Sequence, residues 1–324
     1  MKAAVLYTPG GPENLKIETR PIPEPAKGQV LVKVKAFGLN RSELMTRKGY
    51  SPNVTFPRIL GIECVGEIEN DPSGEFKQGQ KVAAVMGGMG RAYDGSYAEY
   101  TVLPKEIIIP FNSKLAWNVL GAIPEMFHTV DGSLSLALQI KKSETILIRG
   151  GTSSIGLLAI QIAKRNGLTV IATTRKQDKK VLLENTGANY VLVDNGSLSA
   201  DVRKLFPEGV NKVLELIGTS TLKDSLKCAV QGGTVCMSGM LAEKWSINDF
   251  SPMDFIPATV NLTIYDSGQT KLDKTNLQAF IKDVEAGFIQ LSIGQTFHLS
   301  KIAEAHQLME SNLASGKIVV VTER

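Results

Sequence analysis

Cysteine is scarce in this chain of 324 residues: Cys64, Cys228 and Cys236 are odd in number and far apart. That spacing excludes a disulfide framework and a Cys-x-x-Cys metal cluster, and makes a reducing cytoplasm the expected compartment. Histidine is equally sparse, with three dispersed residues. Like-charge blocks are missing as well. The 36 Lys and Arg are interspersed with 32 Asp and Glu, leaving a net charge of +4 and no basic arm for nucleic acid. No segment approaches the roughly 18 continuous apolar residues of a membrane helix, and the opening MKAAVLYTPGG lacks the apolar core of a secretory leader. Membrane insertion and secretion are therefore not expected.

The chain does contain enough apolar residues, 43%, and enough length for two ordinary cores. Up to about residue 111 the signals are those of strands. QVLVKVKAF (29–37) alternates, Val30, Val32, Val34 and Ala36 against Leu31, Lys33, Lys35 and Phe37, and prolines punctuate the loops around it. An antiparallel, barrel-type β domain over 1–115 follows. Beyond Ala116 short apolar runs (TILIRG, VIATT, YVLVD, KVLELIG, TVCMSG, NLTIY) alternate with helical patterns, which predicts βαβ units and a doubly wound parallel sheet over 116–266. Residues 267–324 carry two amphipathic helices, with Leu277, Phe280, Ile281 and Val284 on one and Ile302, Ala305, His306 and Met309 on the other, then the strand GKIVVV. Roughly sixty residues are too few for a third core, so this segment is expected to pack on the first domain. The fold class is α/β in two parts.

The stretch TILIRGGTSSIGLLAIQIAKRNG carries the chemistry. Its order of buried strand, glycine turn and helix is the context of a dinucleotide fingerprint, with Gly151, Ser153 and Gly156 in the three glycine places. Helix N–H groups from Ser154 and Ile155 onward, and the hydroxyls of Thr152, Ser153 and Ser154, are candidate phosphate donors. The alternative for those hydroxyls is a helix N-cap. An acid about 20 residues on would hold the ribose 2′-hydroxyl of NAD, but VIATTRKQDKK offers Thr174, Arg175 and Lys179, which suit the 2′-phosphate of NADPH. Gly218, Ser238, Gly239 and Met240 follow the fourth and fifth strands, at the ligand-binding end of such a sheet.

Phe37-Gly-Leu-Asn-Arg-Ser-Glu43, Leu60-Gly-Ile-Glu-Cys-Val-Gly66, Asp94-Gly-Ser-Tyr-Ala-Glu-Tyr100, the turn, Gly232-Gly-Thr, Ala305-His and Gly316-Lys-Ile-Val run the length of the chain. Together they resemble the medium-chain dehydrogenase/reductase superfamily, in its zinc-free quinone oxidoreductase-like branch. The resemblance implies a GroES-like first domain, a Rossmann domain and a cytoplasmic homodimer joined through the last strand, NLTIYDSG. It also implies hydride transfer from NADPH to a quinone or α,β-unsaturated carbonyl.

Zinc-dependent relatives place metal-binding residues where this chain has Asn40, Ile62 and a position near Glu125, so no metal site is expected. Asn40, Glu43 and Tyr50 are implied near nicotinamide and substrate, Asn40 holding the ribose or carboxamide and Tyr50 donating to the developing oxyanion. Thr129 is implied as a cofactor contact. Asn40-x-x-Glu43 also reads as a capping box, His128 as a satisfied core histidine, and Arg91 as either an anion contact or a solvated arginine. Two other functions remain open: an NADPH-binding sensor or structural protein with little catalysis, and a zinc alcohol dehydrogenase.

Overall fold

The computed structural model describes residues 1–323. In chain order the first strands are β1 (Lys2–Leu6), β2 (Leu15–Thr19), β3 (Gln29–Gly38), β4 (Arg58–Ile59), β5 (Glu63–Asn70), β6 (Lys81–Val85), β7 (Tyr100–Pro104) and β8 (Ile108–Pro110). Helices α1 (Arg41–Arg47), α2 (Trp117–Leu120) and α3 (Pro124–Asp131) follow β3 and β8. Then come β9 (Thr145–Arg149), α4 (Ser154–Arg165), β10 (Thr169–Thr174), α5 (Lys180–Thr186), β11 (Tyr190–Val193), α6 (Ser199–Leu205), β12 (Val210–Glu215), α7 (Thr219–Cys228), β13 (Ala229–Met237), α8 (Pro252–Phe255) and β14 (Asn261–Ile264). The chain closes with α9 (Lys274–Glu285), β15 (Ile293–His298), α10 (Ile302–Ser311) and β16 (Lys317–Val321). Two compact units result: Met1–Phe127 with Gly268–Arg324, and His128–Ser267.

The first unit holds a seven-stranded sheet in the order β15-β16-β3-β5-β6-β8, with β7 also on β3, and a three-stranded sheet β2-β1-β4. All pairings are antiparallel except β15 with β16. Although β3 alternates in sequence, both its faces are largely covered. The strand is central, bonded to β5, β7 and β16, and its Lys35 reaches Glu323 at 2.9 Å rather than bulk water. Helix α2 packs on β3, β5 and β16, and Phe127 stacks on Phe280 at 4.3 Å. Those contacts put the first boundary inside α3 rather than at the change of strand rhythm near Ala116.

The second unit is a six-stranded sheet, β11-β10-β9-β12-β13-β14, parallel throughout. Counted from β9, this is the doubly wound order 3-2-1-4-5-6, whose direction reverses between β9 and β12. Continuous apolar runs form β9 and β10 because both faces lie under helices, and Ile146, Leu147, Ile148, Val170, Ile171 and Ala172 have no exposed surface. No helix among the described residues is long and apolar enough to cross a membrane.

Candidate active site

In the second unit the glycine turn lies at the C-terminal end of β9, beside the reversal point. Gly156 is required there by packing, since a Cβ would stand 2.5 Å from Gly150 O. The helix can therefore start close against the strand, aiming its first N–H groups past the turn. Ser153 is the N-cap of α4: its Oγ accepts from Gly156 N at 3.0 Å and donates to Gly150 O at 2.8 Å. Its hydroxyl is thus turned into the turn and serves the helix, as the capping alternative requires. Thr152 and Ser154 are half-buried, with hydroxyls that meet no partner among the described residues, and the N–H groups of Ser154 and Ile155 lie in the helix's unbonded first turn. Gly151 N donates to Thr173 O at 3.0 Å, and a Cβ on Gly151 would crowd that oxygen at 3.1 Å. This cradle and its donor set fit a pyrophosphate.

At the end of β10, Thr174 is buried and its Oγ1 accepts from Lys176 N at 3.1 Å. Arg175 is exposed and Lys179 half-buried, and neither forms an ion pair within the described residues. Gly218, in the left-handed region at φ 107°, lies against Met240, whose Sδ would be 3.0 Å from an added Cβ. Gly239 lies against Leu216 O in the same way, at 2.5 Å. Ser238 Oγ bonds Ser133 Oγ at 2.7 Å, and Ser133 Oγ donates to Thr129 O at 2.6 Å. Gly151, Thr152 and Ser153 lie on the turn after β9, Ser154, Ile155 and Gly156 open α4, Thr174 ends β10 with Arg175 and Lys179 just beyond it, Gly218 follows β12, Ser238, Gly239 and Met240 follow β13, and Thr129 lies on α3.

The first unit gathers a buried polar cluster. Lys317 Nζ donates to Glu63 Oε1 at 2.8 Å and Asn40 Oδ1 at 2.5 Å. Asn40 Nδ2 donates to Glu63 Oε1 at 2.8 Å and Glu43 Oε1 at 3.3 Å, which uses both of its hydrogens. Asn40 N donates to Glu43 Oε2 at 3.1 Å, the reciprocal half of a capping box for α1. A direct bond from this amide nitrogen to a nicotinamide would have to break one of these. Burial, reinforced by the nearby Glu63 charge, pushes the Glu43 carboxyl up to about 7. Tyr50, three residues past α1, is 70% exposed, and its phenol has no partner among the described residues.

Other candidates take structural places. His128 is buried between Tyr265 Oη, 3.1 Å from Nδ1, and Ser267 O, 3.2 Å from Nε2, so it is a satisfied interior histidine. No group of three or more His, Cys, Asp or Glu able to hold a metal occurs among the described residues. Sequence reasoning missed Lys317 and Glu63, 254 residues apart, and Arg149. Arg149 is fully buried under the turn, bonded to Asp194 at 2.8 and 3.0 Å and to Asp224 at 2.9 Å. One signal was available for two of them: Lys317 and Arg149 are each the lone charge in an otherwise apolar strand.

A family model described as zinc-binding dehydrogenase matches residues 154–283, and one described as alcohol dehydrogenase GroES-like domain matches 26–113. The chain is 28% identical over 331 residues to the quinone oxidoreductase of Homo sapiens, covering 99% of this chain and 98% of that protein. It is 26% identical over 349 residues to the acryloyl-coenzyme A reductase of Sulfurisphaera tokodaii, covering 99% of each. A solved NAD-dependent alcohol dehydrogenase, 27% identical, superposes with a TM-score of 0.87 over 100% of both chains. The chain is a medium-chain dehydrogenase/reductase. Its place in that superfamily is quinone oxidoreductase-like, and it is an oxidoreductase.

Proposed function

We propose that this medium-chain dehydrogenase/reductase uses NADPH, without zinc, to reduce a quinone or an α,β-unsaturated carbonyl. The observation that carries the reading is the end of β10, where Arg175 and Lys179 stand without acidic partners beside a phosphate-fitting turn. A carboxylate there would hold a 2′-hydroxyl; cations there neutralise a 2′-phosphate. Lys317 supports the absence of zinc, because its ammonium lies against Asn40 and Glu63 and would repel a second cation.

A bound reduced nicotinamide would supply a hydride to the substrate's β-carbon, the alkene electron pair moving to the carbonyl oxygen. Thr152, Ser154 and the first N–H groups of α4 hold the pyrophosphate. Arg175 and Lys179 select the 2′-phosphate. The Tyr50 phenol donates to the developing oxyanion, and its proton, or one from water, completes the product. Asn40 acts by fixing the start of α1. In the same reading two copies pair along the open edge of β14, where Ile264 is 57% exposed, in a cytoplasmic homodimer. A monomeric mass at micromolar concentration would count against that pairing.

The test is steady-state turnover with NADPH or NADH across a panel of quinones and enones, for the parent and Arg175→Gln. The variant is expected to lose about tenfold in kcat/KM for NADPH and little for NADH. Equal losses for both cofactors would refute the cofactor assignment, and no turnover despite NADPH binding would refute the activity. One observation favours a second reading as an NADPH-binding protein with little catalysis: the Asn40 amide nitrogen is committed inward, leaving Tyr50 as the free donor. Tyr50→Phe separates the two, since a strong fall in turnover with retained NADPH binding is incompatible with a non-catalytic protein.

A further inference from the structure

Three arginines withdrawn from water face carboxylates: Arg47 meets Glu310 at 2.7 Å, Arg58 meets Asp94 at 2.9 Å, and Arg149 meets Asp194 and Asp224. Arg91 does not. It is half-buried, its Nε is shielded from solvent and unbonded, and no carboxylate of the described residues lies in ion-pair range. Its side-chain partner is a neutral hydroxyl, Ser42 Oγ, 2.5 Å from Nη2. Ser42 belongs to α1, the helix that Asn40 caps and that leads to Tyr50.

The loop that launches Arg91 is held firmly. Gly90 adopts φ 73°, and a Cβ there would stand 2.6 Å from Gly61 O, so the loop packs directly on the backbone before β5. Arg91 N donates to Gly88 O at 3.1 Å. A guanidinium oriented in this way, partly desolvated and without a counter-charge, is costly unless an anion completes it.

We propose that Arg91 is a specificity residue that pairs with an anionic group, a carboxylate, carried by the substrate. This rests on the reductase reading above and narrows its substrate class from neutral quinones to enones bearing an acid. The cofactor is a poorer source of that anion, because its phosphates have donors in the turn and at Arg175 and Lys179. The planar fork of Arg91 suits a carboxylate in geometry as well as charge.

Turnover of 4-oxo-2-pentenoate and of its methyl ester tests the proposal in the parent, Arg91→Met and Arg91→Lys. The expected result is a parent preference for the acid, with the acid-to-ester ratio of kcat/KM falling about 10- to 100-fold in Arg91→Met and less in Arg91→Lys. Added salt is expected to raise KM for the acid alone in the parent, a readout that needs no variant to fold. Equal effects on both compounds, or salt-independent KM for the acid, would overturn this proposal and leave the reductase reading intact. Turnover of quinones but of neither enone has the same meaning, whereas a parent inactive on every compound overturns both.

Discussion

Lys317→Met removes the cation from a cluster in which Glu63 and Glu43 are 0% and 1% exposed. Breaking a buried ion pair from one side strands the other charge, at a cost of about 3–5 kcal/mol. Here Nζ is 2.8 Å from Glu63 Oε1, and its own side chain is 3% exposed, so little water can replace it. The loss must depend on pH. Glu43 already lies near 7, and without the cation that holds it down it is pushed higher. A group whose folded-state pKa is raised binds more protons in the native state, so stability falls as pH rises through that range, by about 1.4 kcal/mol per pH unit per group.

The destabilisation is therefore expected to be larger near pH 8 than near pH 5.5, where Glu43 is protonated with or without the cation. Urea unfolding of the first unit is measured by Trp117 fluorescence in a Trp245→Phe background, since Trp245 is 64% exposed and lies in the other unit. Lys317→Met/Glu63→Gln removes the stranded charge and should recover more than half of the loss. A pH-independent loss, or a double variant no more stable than the single one, would refute the reasoning.

Two further outcomes are expected. Ser153→Ala should destabilise the second unit by about 1 kcal/mol while NADPH affinity changes less than threefold, because its hydroxyl caps α4; a large fall in affinity on titration would mean that the hydroxyl reaches the phosphate. Burial beside Arg47 holds His306 down at about 3, so its contribution is lost as pH falls below the ordinary 6.5. Glu43 works in the opposite direction between 7 and 4.5, and the two slopes cancel from about 6.5 to 4.5. Glu43→Gln should uncover a loss of about 1.4 kcal/mol per pH unit on acidification there, and a flat urea-midpoint profile for that variant would contradict it.

The sequence by itself determined what short-range rules control. Six apolar runs at helical spacing produce the parallel sheet, since strands buried on both faces have no polar alternation to keep. Strand, turn and helix within TILIRGGTSSIGLLA define the candidate phosphate cradle, and the absence of an acid directly after VIATT, where Arg175 and Lys176 follow, is visible without coordinates. The inward stripes of α9 and α10 were largely legible, with Leu277, Phe280, Ile281, Ile302, Ala305, His306 and Met309 buried and Val284 half-buried at the stripe's end.

The tertiary structure decided which polar atoms are already spent. Whether Ser153 faces ligand or helix, and whether the Asn40 amide is free, depends on hydrogen bonds that residue identity leaves open. Lys317 reaches Asn40 because β16 pairs with β3, a strand some 280 positions earlier in the chain, and no local pattern encodes that pairing. Arg149 is a structural tether and Arg91 an uncompensated cation for the same reason. A charge takes its meaning from the partners that packing brings to it, and those partners come from distant strands and loops.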